Sequence, residues 1–224
     1  MVPTLVVERQ PGVWVVEHPA ARHELAILRS VATSRAEFRA AAERLGFYLA
    51  AAATTGLTLE PVEVETPLCR TVAYRRVEPL VLVPVLRAGM LLLPAFLRLF
   101  PEARIGYLGL RRNEQTLEPE LYYANLPPLQ PEARVFVLDP MMATGGSMQA
   151  AVEFLRHRGA TWLTAVCIIA APEGIQRFRQ HHPTVPIVTA AIDHGLNAQG
   201  FILPGLGDAG DRAHGTEEEN EGQP

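Results

Sequence analysis

The chain has 224 residues, 48% of them hydrophobic, and a formal charge of −4. That length buries a full core in one domain, and no apolar run reaches membrane-spanning length without a charge or a proline. Four glutamates (Glu217, Glu218, Glu219 and Glu221) crowd the last eight residues, leaving 20 of the 24 acidic residues to balance 20 basic ones, and a neutral body is a poor nucleic-acid footprint.

In chain order, the opening MVPTLVVERQPG lacks the charged-then-apolar layout of a secretory signal. A short helix is expected over 20–29. Ser34 and Glu37 form a capping box that opens an alanine-rich helix, running to about Thr55 and stopped by Gly56. Together these predict an N-terminal helical layer. Residues 62–66 and 70–75 alternate polar and apolar positions around Pro67, as an antiparallel pair does. From Leu80 the pattern changes to a continuous apolar strand over 80–85, then Arg87-Ala88-Gly89, a helix over 91–100 and a strand over 105–110. The polar stretch 111–126, with Glu118-Pro119 and Tyr122-Tyr123, predicts a projecting β-arm. Strand 135–138, helix 148–158 closed by Gly159, strand 163–170, helix 175–182 and strand 187–191 complete the run.

Buried strands alternating with amphipathic helices specify an α/β fold with a parallel, doubly wound sheet, which binds ligands beyond the carboxyl ends of its strands. A single domain over 1–216 and an acidic, disordered tail over 217–224 are expected. Cys69 and Cys167 belong to no ligand-spaced cluster, which fits a reducing cytoplasm and argues against structural zinc.

The most informative segment is 135–147, VFVLDPMMATGGS. A buried strand ends in Asp139 and passes through Ala143-Thr144-Gly145-Gly146-Ser147 into a helix. A small-residue loop at a helix N-terminus makes an anion site, and Asp139 can accept hydrogen bonds from sugar hydroxyls beside it. A plain glycine-bent turn is the competing reading of the loop. No lysine follows the glycines, and all 20 basic residues of the chain are arginine, so a side-chain cation on a phosphate must be a guanidinium.

Three further groupings stand out. Arg87 beside Ala88 and Gly89 follows a strand, as an anion contact or a solvated cap. Arg111-Arg112-Asn113 at the base of the arm is a second anion clamp or a solvated turn, and two separated clamps fit a ligand with phosphates at opposite ends. Residues 200–212, GFILPGLGDAGDR, expose backbone groups at Gly205, Gly207 and Gly210 around Asp208, as a hood over a flat ligand or a loose loop.

Assembled, these residues resemble the uracil phosphoribosyltransferase family from about His18 to Thr216. The likeness rests on VPVLRAG (83–89), ARIGYLGL (103–110), VLDPMMATGGS (137–147), AAPEGI (170–175) and GFILPGLGDAGDR. It implies a phosphoribosyltransferase-type sheet with a β-arm and a C-terminal hood, and transfer from 5-phosphoribosyl 1-diphosphate to uracil, giving UMP and diphosphate. By the same likeness, Asp139, Pro140, Met141, Met142, Ala143, Thr144, Gly145, Gly146 and Ser147 hold the ribose 5-phosphate, and Arg87 and Arg112 the diphosphate. Ile202, Gly207, Asp208 and Ala209 hold uracil, with Asp208 and Arg112 acting in catalysis. Mg²⁺ arrives mainly on the diphosphate, with no protein metal site. GTP is an effector in some relatives. The apolar N-terminal helices and the arm suit a homodimer or higher homo-oligomer, the unclustered thiols a cytoplasmic location, and the neutral body and lack of an apolar span leave no nucleic acid or membrane as partner. Family members usually carry Tyr-Arg-Asp at 111–113, often Tyr-Glu at Ala51-Ala52, and basic residues near Glu17 and Glu24. Those departures motivate a rival reading, a regulator that senses the same donor or UMP and binds RNA.

Overall fold

The computed structural model describes residues 5–112 and 119–216. An N-terminal hairpin, β1 (Val6–Gln10) and β2 (Val13–Val16), turns at Gly12 and leads into α1 (Pro19–Arg29) and α2 (Arg35–Ala53). A second hairpin, β3 (Leu59–Glu65) and β4 (Arg70–Arg76), stands as its own two-stranded sheet, with Val62 opposite Ala73. Then come β5 (Leu80–Leu86), α3 (Leu93–Leu99), β6 (Arg104–Ile105), β7 (Tyr107–Arg112), β8 (Pro119–Asn125), β9 (Arg134–Leu138) and β10 (Met141–Met142). The chain continues as α4 (Gly146–His157), β11 (Trp162–Val166), β12 (Ile169–Ala170), α5 (Pro172–His181), β13 (Ile187–Thr189) and β14 (Ala191–Ile192). It ends in β15 (Gly195–Leu196), β16 (Ile202–Leu203) and α6 (Ala209–His214).

The central sheet runs β1-β2-β13-β11-β9-β5-β7-β8, with β6 beside β5. Pairing is parallel from β2 to β7 and antiparallel at the two edges. Both faces are covered, which is why the inner strands read as unbroken apolar runs. Leu82, Phe136 and Leu138 pack with Leu45, Leu49 and Phe96 of α2 and α3. Val83, Val137 and Ala165 point the other way, against Val152 and Leu155 of α4 and Phe178 of α5.

The expected doubly wound α/β sheet, N-terminal helical layer and, in its described part, β-arm are present, and three local expectations are corrected. The helix expected over 91–100 splits into a 3₁₀ turn, Ala88–Leu91, and α3, because Pro94 lacks an N–H and belongs in a first turn. The strand expected over 163–170 also divides. Its second half, β12, joins β10 and β14 in a small parallel sheet laid beyond the main strand ends. The expected arm is β7 with β8, an antiparallel extension of the sheet edge, and its tip lies outside the described residues. The C-terminal hood closes in a helix, α6, rather than remaining loop throughout. The hairpin β1–β2 carried no sequence expectation.

Glu78 ties the β3–β4 hairpin to the sheet. It is 7% exposed. Its carboxylate accepts from the Thr58 N–H at 2.9 Å, the Thr58 hydroxyl at 2.7 Å and Arg134 Nη2 at 2.9 Å. Burial alone would raise its pKa, but these hydrogen bonds outweigh it and bring the carboxyl from 4.5 down to about 2. The depressed value means that Glu78 stabilises the fold in full above about pH 4.5, and that this contribution disappears as pH falls through about 2. Glu78→Ala strands the Arg134 guanidinium and is expected to cost about 3 kcal/mol. Urea melts at pH 7 and pH 3 check it, the gap between wild type and variant narrowing at the lower pH.

Candidate active site

The candidate site lies where β9 ends. Beyond Leu138 the chain passes Asp139 and Pro140, pairs briefly as β10, and turns into α4 through Gly145 at φ 79°. No side chain among the described residues caps α4, and an uncapped helix start can receive an anion on its first-turn N–H groups. The turn is pressed against α5. A Cβ on Gly145 would stand 2.6 Å from the Gly174 carbonyl oxygen, and one on Gly174 would stand 2.3 Å from that of Ala143. Two glycines therefore let two backbones touch, which sets where the loop sits.

Asp139 is partly exposed as a residue, yet its carboxyl lies deep enough that burial raises its pKa to about 7. The Met141 N–H opposes this rise and the charge of Asp208 adds to it. The Asp208 charge thus reaches Asp139 although the two lie 69 residues apart in the chain, and of the pair only Asp208 lines the cavity described below.

Asp208 belongs to the hood. The hairpin β15–β16 is braced by Asn197, whose Oδ1 accepts from the N–H groups of Gln199 and Phe201. Asp193 is buried; it accepts the Gly205 N–H at 3.0 Å and receives both Nη atoms of Arg29 at 2.5 and 2.8 Å. Arg29 Nη1 also donates to the Gly205 carbonyl at 2.7 Å. In return, Arg212 donates to the carbonyls of Leu28, Leu206 and Ser30. Two arginines, one from each side, fasten the hood to the end of α1. Asp208 caps α6, accepting the Asp211 N–H at 2.9 Å.

A cavity of about 340 Å³ separates loop from hood. Met141, Ala143, Thr144, Gly146 and Ser147 line one side, and Phe201, Ile202 and Asp208 the other. Among the remaining sequence candidates, Pro140 accepts the Ile168 and Ile169 N–H groups, and Met142 is buried with its carbonyl accepting from Ala171. Gly207 lines an adjoining cavity with Asp208, and Ala209 is buried in the first turn of α6. Arg87 stands at the same strand edge but does not line the 340 Å³ cavity; it donates to Asp211 at 3.1 Å and to Thr216 at 2.8 Å. Arg112 ends β7 opposite Pro119, and Asn113 lies outside the described residues.

Arg177, Gln199 and Pro119 also line the cavity and were not singled out from sequence. For Arg177 a signal existed: it follows Gly174 by three residues, one helical turn, on the face that meets the loop. A larger cavity of about 470 Å³ lies below the end of α2, walled by Leu5, Trp14, Phe136 and Val188. Its lining is chiefly apolar, with Arg134 its only charged member among the described residues, so convergent polar chemistry belongs to the smaller one.

The family model described as uracil phosphoribosyltransferase matches residues 15–216. A uracil phosphoribosyltransferase of Salinibacter ruber is 45% identical over 207 residues, covering 92% of this chain and 99% of that protein. One of Thermus thermophilus is 45% identical over 205 residues, covering 91% and 99%. Among solved structures, the AQ2163 protein of Aquifex aeolicus is 37% identical with a TM-score of 0.85 over 90% of this chain and 97% of that one. An adenine phosphoribosyl transferase of Trypanosoma brucei, solved with AMP, pyrophosphate and ribose-5-phosphate, shares the fold at 15% identity and a TM-score of 0.58, over 87% and 90%.

Proposed function

This chain belongs to the uracil phosphoribosyltransferase family and transfers the 5-phosphoribosyl group of 5-phosphoribosyl 1-diphosphate to uracil, giving UMP and diphosphate; we propose that it does so in the cavity beneath the hood. What carries this reading is the placement of the Thr144–Ser147 turn and the Asp208-bearing hood on opposite walls of that one cavity. The rival reading, an RNA-binding regulator, finds no support among the relatives.

In the proposed arrangement the α4 N-terminus and the Thr144 and Ser147 hydroxyls hold the ribose 5-phosphate. Asp139 accepts from the ribose hydroxyls. Arg87 and Arg112 meet the diphosphate, Arg87 after releasing Asp211. The hood backbone at Ile202, Gly207 and Ala209 reads uracil, whose two carbonyls flank an N–H. Cytosine inverts that pattern along one edge and leaves backbone groups unpaired, which discriminates strongly.

The bond between C1 and the diphosphate oxygen breaks through an oxocarbenium-like state, as in glycosyl transfer. Uracil N1 bonds to C1 as that bond breaks, and the N1 proton passes to solvent water. The Asp208 carboxylate stabilises the positive charge as it grows on the ring, and holding base and sugar in line removes much of the entropic barrier.

The residues suit a Mg²⁺ carried on the substrate. Asp208 is exposed at the cavity wall, where its carboxylate could meet a cation borne by the diphosphate. A hard cation that keeps its waters needs little more than one carboxylate and phosphate oxygens; Asp208 would hold it there, and it would supply neutralisation of the diphosphate charge. A homodimer belongs to the same proposal. It is supported by the β3–β4 hairpin, where Leu68 is 94% and Tyr74 70% exposed. No helix among the described residues is long and apolar enough to cross a membrane.

The test is product formation. Purified protein with uracil, 5-phosphoribosyl 1-diphosphate and Mg²⁺ is expected to yield UMP, and not CMP when cytosine replaces uracil. A parallel arm with GTP tests the effector, and sedimentation tests the dimer. Absence of turnover with every pyrimidine base would remove the reading.

A further inference from the structure

The phosphate loop in this chain is made of small residues and N–H groups, and no lysine exists to add charge to it. Yet a guanidinium overlooks it. Arg177 lines the same cavity as Thr144, Gly146 and Ser147. A Cβ built on Gly146 would lie 3.8 Å from Arg177 Nη1, which puts that nitrogen beside the first turn of α4.

Its position follows from the packing already described. Gly174 brings the start of α5 into backbone contact with Ala143 and Gly145. Three residues further, on the same face, Arg177 reaches along the loop toward Gly146. The side chain is also aimed. Its Nε donates to Gln149 Oε1 at 3.3 Å, and the Gln149 amide in turn donates to Glu153 Oε1 at 3.0 Å. Gln149 and Glu153 sit one turn apart on α4, so the helix that begins at the phosphate loop also orients the arginine. Anchoring through Nε holds Nη1 beside the first turn of α4, where a guanidinium can make a charge-assisted contact with a phosphate oxygen.

We propose that Arg177 is a binding residue for the 5-phosphate of both the donor and UMP, supplying this loop with a side-chain cation held in place by Gln149. The inference rests on the reading of Thr144–Ser147 as the phosphate cradle and extends it to a residue on a different helix. It is separable from the rest of the site because the 5-phosphate is present in UMP, absent from uridine, and distinct from the diphosphate that Arg87 and Arg112 are assigned.

Calorimetry on the full chain tests it with three probes: UMP, uridine and pyrophosphate with Mg²⁺. Arg177→Ala is expected to weaken UMP binding about tenfold while leaving pyrophosphate and uridine within twofold of wild type. Arg177→Lys is expected to recover part of the loss, and Gln149→Ala to weaken UMP by a smaller factor through loss of orientation. Unchanged UMP affinity in Arg177→Ala overturns the inference, as does an equal loss for UMP and pyrophosphate, which would mark general damage to the fold. Wild-type protein that binds pyrophosphate but not UMP would overturn the cradle reading itself, and this inference with it.

Discussion

Replacing Gly174 with alanine is expected to lower kcat/KM for 5-phosphoribosyl 1-diphosphate by about a hundredfold, although residue 174 is assigned no contact with any substrate. A methyl group there would stand 2.3 Å from the Ala143 carbonyl oxygen, 2.8 Å from that of Met142 and 3.0 Å from the Ala143 carbonyl carbon. All three are backbone atoms and none can rotate aside, so the loop or α5 must move. A displacement of about 1 Å is enough to cost two orders of magnitude when the displaced element holds the reacting substrate. Gly56→Ala is the control: nothing lies within 4 Å of its added methyl, and activity is expected to stay within twofold. Steady-state kinetics in the donor, with circular dichroism to show that both variants fold, decide the matter. A Gly174→Ala enzyme with wild-type kcat/KM would show that the contact between loop and α5 does not position the phosphate.

The second large effect is expected at Asp208. Alanine there is a poor probe, because Asp208 also caps α6 through the Asp211 N–H, and losing a cap costs about 1 kcal/mol by itself. Asp208→Asn keeps an oxygen for the cap and removes only the charge. The neutral amide no longer stabilises positive charge at C1, and kcat is expected to fall about a hundredfold or more, the scale seen when one preorganised electrostatic contact is removed. The melting temperature is expected to stay within a few degrees. Since Asp208 charge also raises the Asp139 pKa, the same variant is expected to lower it, which carboxyl NMR resolves. An Asn variant with undiminished kcat would take Asp208 out of the chemistry and leave it only as a helix cap.

Much of this protein was legible residue by residue. The capping box at Ser34 and Glu37 marks the start of α2 because it is local: the Ser34 hydroxyl accepts the Glu37 N–H three residues on, and no distant partner is involved. Leu80–Leu86 and Arg134–Leu138 declared themselves as doubly covered strands because both of their faces are apolar. The Thr144–Ser147 turn could be recognised for the same reason, since loop, glycines and helix start are contiguous. Less legible were breaks imposed by neighbours. β11 and β12 form one apolar run, but Ile168 and Ile169 donate to the Pro140 carbonyl and the chain steps into a second small sheet. The helix α6 was hidden behind a glycine-rich stretch whose start depends on a single capping carboxylate.

Sequence by itself determined the class of fold, the order of the central strands and their helices, and the two loops that line the cavity, because hydrophobic period, caps and glycine turns act over a few residues. Only the tertiary structure decided that Arg177 lines the same cavity as the Thr144–Ser147 turn, that Arg29 and Arg212 fasten the hood to α1, and that Arg87 rests on Asp211 and Thr216. Those pairings join residues up to 184 positions apart. Long side chains of one charge type look alike in a sequence, and which partner each reaches is settled by packing around it.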